Sequence, residues 1–183
     1  LWVGSSLGIE VIKAGGQGLI KQKGDENFPA RGIDAFAKDC FGNIWFGNRA
    51  NLFGVIWKDE TGYYHVKYYD EGFFILPDQK KPQLFVSSTH GLKRFTIDRN
   101  GNITSTFAWQ ASKKANSLSS NYTYPIAKEN DKTYWIGTIG GGLNRLSFGK
   151  NDSYSIKTYA GKYGIFNDVE SLEIDSSGNI WMG

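Results

Sequence analysis

Short aromatic–glycine motifs recur along this chain at a near-constant interval, and that recurrence restricts its fold more than any other feature. The copies read "LWVG" at 1–4, "IWFG" at 44–47, "YWIG" at 134–137 and "IWMG" at 180–183, with a weaker "QLFVSS" at 83–88. Aligned on Trp2, Trp45, Phe85, Trp135 and Trp181, they stand 43, 40, 50 and 46 residues apart. Self-similarity with a period of roughly 40–50 residues marks a propeller or another repeat array, because each unit buries its apolar face only against a neighbour.

The content of one period selects strands over helices. "YPIAKEN" is followed by "TYWIG", "LNRLSF" and "SYSIKTYA", with the turns "NDK", "TIGGG" and "GKND" between or overlapping them. Four short runs rich in β-branched and aromatic residues, punctuated by Gly, Asn and Asp, read as a four-stranded antiparallel meander, strands A to D. The preceding unit repeats it as "GFFILPD", "LFVSS", "GLKRFTID" and "ITSTFA", with "RNGN" as the C–D hairpin turn. No stretch sustains helical periodicity. The 23 glycines and the 15% aromatic content suit many short strands joined by tight turns.

Strand B carries the most information. In "NIWFG", Ile44 and Phe46 point to one side and Trp45 to the other, so both faces are apolar and both need cover. Radially stacked blades provide that cover. The reading is therefore an all-β β-propeller of four-stranded antiparallel blades, with Trp45, Trp135 and Trp181 buried between successive blades. The preceding "DCFGN" and "DSSGN" read as A–B turns, in which the Asp side chain accepts a turn N–H and Gly supplies a positive φ. Counting strands gives a partial blade at 1–30, blades at 31–72, 73–108 and 121–160, and a partial blade at 167–183. That makes an arc of about four blades. Its uncovered faces lead to the expectation that the isolated segment is poorly soluble or self-associates.

Several functional classes are disfavoured. Charge is close to balance, with 21 Lys+Arg against 18 Asp+Glu, and the basic residues are scattered, so no nucleic-acid partner is expected. No run approaches the roughly 18–20 apolar residues of a membrane helix. Cys40 is the only cysteine and lies in an A–B turn, so no internal disulfide is possible. The two histidines, His65 and His90, fall on an outer strand and a B–C loop, which gives no convergent pair for a metal or a lyase. "GTIGGG" lacks the Lys-Ser/Thr of a phosphate loop. No catalytic residue, metal or cofactor is expected in this segment.

"NDVESLEIDSSGNIWMG" at 167–183 and "YWIGTIGGGLNRL" at 134–146 resemble the two-component regulator propeller repeat. "DAFAKDCFGNIWFG" at 34–47 and "SLSSNYTYPIAKEN" at 117–130 fit the same pattern, so the resemblance covers essentially the whole chain. The unit around Phe85 departs from it, lacking the turn glycine, the tryptophan and the closing glycine. "GNRANLFGV" at 47–55 likewise replaces the usual glycine-rich B–C loop. The resemblance implies an arc of a seven-bladed ring within the periplasmic sensor region of a hybrid histidine kinase/response regulator protein. In that setting, oligosaccharides from glycan breakdown are the expected ligand. The remaining blades and a downstream immunoglobulin-like domain are the expected partners, and the full-length protein is expected to form a homodimer. The full protein could then be a histidine kinase. The rival readings are a propeller enzyme, quinoprotein-like or lyase-like, and a protein-interaction scaffold.

In a meander of this kind the D–A connections and B–C loops emerge at one end, and the A–B and C–D turns at the other. The turns are short and stereotyped, whereas the loops vary, so the loop end is read as the ligand face. It carries Arg31, Asn48, Arg49, Thr89, His90, Asn121, Thr138, Tyr163, Asn167 and Asp168. Trp109 joins them as an aromatic in the polar connection "WQASKKANSLSSN". Sugars are bound by aromatic stacking together with planar polar side chains, and this set offers both.

Overall fold

A computed structural model describes residues 2–5, 8–11, 32–50, 52–161, 164 and 166–183. Antiparallel strands follow one another in chain order within each sheet. The first sheet pairs β1 (Trp2–Ser5) with β2 (Gly8–Val11), and the second joins β3 (Ala35–Lys38), β4 (Ile44–Asn48), β5 (Leu52–Lys58) and β6 (Tyr64–Tyr69). The third joins β7 (Ile75–Pro77), β8 (Gln83–Ser88), β9 (Gly91–Ile97) and β10 (Ile103–Trp109). The fourth joins β11 (Thr123–Asn130), β12 (Thr133–Thr138), β13 (Gly142–Phe148) and β14 (Tyr154–Tyr159). Last, β15 (Leu172–Ile174) pairs with β16 (Ile180–Met182). The only helical element among the described residues is a 3-10 turn at Lys150–Asp152. The fold is all-β and propeller-type, built of four-stranded antiparallel blades.

The described chain divides into two compact units, residues 1–84 with 95–106, and residues 85–94 with 107–183. In the first, strand β4 is buried on both faces, as its apolar pattern requires. Trp45 has no exposed surface and stacks on Phe53 at 5.5 Å and Tyr69 at 5.9 Å between ring centroids. Phe53 in turn stacks on Phe95 of β9 at 6.0 Å. Phe46, facing the other way, packs with Ile33 and Ile56, and Trp2 and Ile9 of the first sheet close over that cluster. Sheet stacked on sheet thus supplies the cover that neither face of β4 could find alone.

The second unit repeats the scheme with different residues. Phe85 lies 4.5 Å from Tyr134 and stacks on Trp109 at 5.9 Å, while Ile136, Leu143 and Leu146 are almost wholly buried within the fourth sheet. Trp135 is buried as expected, at 8% exposure. Where strand C starts, backbones approach closely. Gly91 (φ 102°) and Gly142 (φ 73°) adopt a conformation that favours glycine, and a Cβ there would fall 2.2 Å from the Trp109 carbonyl oxygen and 2.7 Å from that of Tyr159.

Two expectations need correction. Trp181 is 64% exposed, not buried. Its sheet has two strands among the described residues, so nothing there plays the part of Phe53 and Tyr69 over Trp45. Trp109 is not a loop residue: it is the last residue of β10, 3% exposed, packed among Phe85, Phe107, Phe148 and Tyr154. The strand D expected after β2 lies outside the described residues.

Removing a fully buried indole leaves a cavity that the surrounding sheets fill only in part. Trp45→Ala is therefore expected to lower unfolding free energy by about 3–5 kcal/mol in denaturant titration. Trp181→Ala, at an exposed position, loses the Asp175 hydrogen bond but little packing and should cost well below that.

Candidate functional site

The turn end of the blades is closed by its own carboxylates. Asp39 accepts the backbone N–H of Phe41 (2.9 Å) and Asn43 (3.0 Å) on Oδ1, and the Asn43 amide (3.0 Å) and the Trp45 indole (2.8 Å) on Oδ2. Asp175 makes the same four contacts with Ser177, Asn179 and Trp181, each at 2.9 Å. Asp98 holds Asn100 and Asn102 in the C–D turn of the third sheet. In the corresponding turn of the second sheet, Asp59 holds Thr61 and Tyr63 and bonds His65 Nε2 at 2.9 Å. The fourth sheet reaches the same end differently: Glu129 accepts the Trp135 indole at 2.7 Å and is also paired with Arg145.

These bonds favour the charged carboxylates. The Trp181 indole, ahead of the Asn179 amide, pulls Asp175 down to about 2. Chiefly Asn102 lowers Asp98, chiefly His65 holds Asp59 well below the usual carboxylate range, and chiefly Arg145 lowers Glu129. Carboxylates so engaged have few acceptor positions left for a ligand. Among the described residues, no three His, Cys, Asp or Glu side chains gather closely enough to hold a metal ion.

The loop end is built by bonds between each B–C loop and the segment leading into strand A. In the first unit Asp34 receives the Arg49 N–H at 3.1 Å, and Asp34 N donates to the Gly47 carbonyl at 3.0 Å. Asn48, only 7% exposed, donates to the Gly32 carbonyl and accepts the N–H groups of Ala50 and Leu52, closing its own loop.

In the second unit such bonds run from loop to loop without a break. Thr123, fully buried, accepts the Ser88 N–H at 3.1 Å and lies within bonding distance of the Ser88 and Gly91 carbonyls. Gly91 N donates to the Asn121 carbonyl at 2.7 Å, and Ile139 N to that of Tyr122 at 2.9 Å. Beyond, Gly142 N donates to the Asn167 carbonyl, Val169 N to that of Thr138, and Gly140 N to Asp168 Oδ1 at 2.7 Å. Beneath lies a fully engaged polar cluster of Ser119, Thr138, Asn144 and Thr158. Thr89, His90, Asn121, Asn167 and Asp168 stand exposed on this braced frame. Thr89 Oγ1 and His90 Nδ1 are 3.1 Å apart.

The structure thus sorts the residues singled out in the sequence. It brings Thr89, His90, Asn121, Asn167 and Asp168 onto one run of loops, and it places Arg49 on the equivalent loop of the first unit. Asn48 and Thr138 close B–C loops from within, the latter by donating to the Gly142 carbonyl at 2.8 Å. Trp109 belongs to the sheet packing described above. Arg31 and Tyr163 lie outside the described residues. Sequence reasoning missed Asp34, Ser88 and Thr123. The polar residue ending each strand B (Asn48, Ser88, Thr138) was the available signal, since a polar side chain after an apolar strand often turns back to the loop backbone.

No family model matches the chain, and no curated protein matches it. Solved structures do. One is BT4673 of B. thetaiotaomicron, described as the extracellular domain of a hybrid two-component system. It aligns with a TM-score of 0.63 at 16% identity, covering 82% of this chain and 22% of that one. Virginiamycin B lyase from Staphylococcus aureus gives 0.64 at 14% identity, over 99% of this chain and 58% of the lyase. YCF48 from Cyanidioschyzon merolae gives 0.58 at 15%, over 97% and 61%. Identities this low establish a shared fold, and this chain spans less than two thirds of each of those structures.

The turn carboxylates predict an acid dependence. A group whose folded pKa is depressed stabilises the fold above its ordinary pKa, and that contribution drains away as pH falls through the folded value. For Asp175 the window runs from its ordinary 3.8 down to about 2. Denaturant midpoints should therefore fall as pH is lowered across that window, and fall less steeply in Asp175→Asn. A variant curve parallel to wild type would contradict the assignment.

Proposed function

We propose that this chain is a ligand-sensing propeller segment from the periplasmic region of a two-component receptor, and that its loop end recognises oligosaccharides released by glycan breakdown. The observation that carries the reading is the braced run of loops in the second unit, with Thr89, His90, Asn121, Asn167 and Asp168 exposed along it. Planar and hydroxyl side chains on an already ordered backbone suit sugar hydroxyls, because little freedom is lost when they bond. The shared fold with an extracellular domain of a hybrid two-component system supports the setting. Further blades, a downstream immunoglobulin-like domain and a second copy of the receptor are the proposed protein partners, and nucleic acid is not. No helix of the described residues is long and apolar enough to cross a membrane. Binding signals only through differential affinity for two arrangements of that receptor.

Calorimetric titration of the complete periplasmic region with a panel of neutral glycan fragments tests this reading. A fragment should bind, and His90→Ala or Asn121→Ala should weaken it by roughly three- to tenfold, the effect of losing one or two hydrogen bonds. Arg49→Ala reports on the equivalent loop of the first unit. Binding that none of the three changes would place the ligand elsewhere. Consumption of the fragment would favour an enzyme.

A further inference from the structure

Beside β10 and the turn joining β13 to β14, one arginine of β9 is held in an unusual way. The Arg94 guanidinium lies over three aromatic rings, 5.3 Å from the centroid of Phe148 and 5.8 Å from those of Phe107 and Trp109. Tyr154 packs edge-on against both Phe107 and Trp109 at 5.9 and 5.8 Å. Rings take the apolar faces of a planar cation and leave its N–H edge as the bonding direction. No hydrogen bond joins that edge to a described side chain. Its nearest carboxylate, Asp152, stands 4.0 Å from Nη1 and is 87% exposed. That separation exceeds hydrogen-bond reach.

Two further observations bear on the same place. Asp152 and its neighbour Asn151 both have positive φ, 56° and 54°, a conformation that non-glycine residues adopt at a cost. Asp152 thus stands beside the guanidinium without hydrogen-bonding it. In addition, Trp109 Nε1 is the buried side-chain nitrogen left without a hydrogen-bond partner among the described residues, and its indole is one of the three rings against the guanidinium.

We propose that Arg94 is a binding site for a carboxylate-bearing ligand, whose carboxylate takes the guanidinium edge while its C–H face rests on the half-exposed ring of Phe107. A free carboxylate can approach to bidentate distance, about 2.7–2.9 Å, where the tethered Asp152 does not. The arginine is already immobilised by its rings, so less side-chain freedom is lost on binding. Asp152, as a like charge beside the incoming group, opposes it. The site uses none of the exposed loop residues above, and either assignment can fail without the other.

The test follows arginine Nε–Hε resonances of the chain at neutral pH during titration with sodium glucuronate, with glucose as its uncharged match. One resonance, identified by its loss in Arg94→Lys, should move and saturate with glucuronate and stay still with glucose. Arg94→Lys keeps the charge but loses the fork, and should weaken binding by about tenfold or more. Asp152→Asn, at an exposed position, should strengthen it by roughly two- to fivefold. A resonance that does not move, that drifts without saturating, or that responds equally to glucose would overturn the proposal. So would an Asp152→Asn variant that binds no tighter.

Discussion

A carboxylate that closes a turn and, six residues on, receives the indole N–H of the next strand is the contact on which the blades depend. Asp39 does this for Trp45 and Asp175 for Trp181, while Glu129, within β11, receives the Trp135 indole without closing the turn. Asp59 does the same for His65 at the same spacing, in a different hairpin. The spacing follows from hairpin geometry: the acid starts the turn, and the donor to its second oxygen lies two residues into the returning strand. An indole buried between sheets needs a partner for its N–H, and an unsatisfied one would cost about 1–3 kcal/mol. Placing the acceptor in the turn meets that need while the rest of the ring stacks on apolar neighbours. The contact therefore joins local turn chemistry to the packing of one sheet on the next.

Much of this was legible in the sequence because its causes are local. Asp-x-x-Gly-Asn specifies a turn by the hydrogen bonds available to Asp and the φ available to Gly, and the structure realises both at 39–43 and 175–179. The two-sided apolar pattern of "NIWFG" required cover on both faces, and β4 has it. The less legible features depend on residues distant in sequence. Trp109 follows an exposed strand and precedes a polar run, so locally it resembles a surface aromatic. Phe148 and Tyr154 of the fourth sheet make it core. Trp181 carries the full motif, yet burial is set by neighbours rather than by the motif. Glu129 escaped notice because its turn lacks the aspartate signature, although the six-residue spacing to Trp135 was there to be counted.

The candidate site was legible as a set of loops but not as a set of side chains. Which loops share an end follows from antiparallel connectivity. Which polar residues face outward does not, since Asn48 and Thr138 close their own loops from buried positions, whereas His90 and Asn121, the latter accepting the Ala111 N–H, stand exposed. The resulting division of labour is physical. At the turn end, carboxylates are consumed by the backbone and by indoles. At the loop end, bonds between neighbouring loops order the frame on which Thr89, His90, Asn121, Asn167 and Asp168 stand exposed.

The dependence of strand B on its turn acid can be measured directly as hydrogen exchange of the indole N–H groups. In the native chain the Trp45 indole should exchange slowly, because release needs the sheets to part, and the exposed Trp181 indole should exchange far faster. Asp39→Ala should speed exchange at Trp45 and leave Trp135, held by Glu129, at its native rate. Unchanged slow exchange at Trp45 in that variant would contradict the account, because packing alone would then hold the strand.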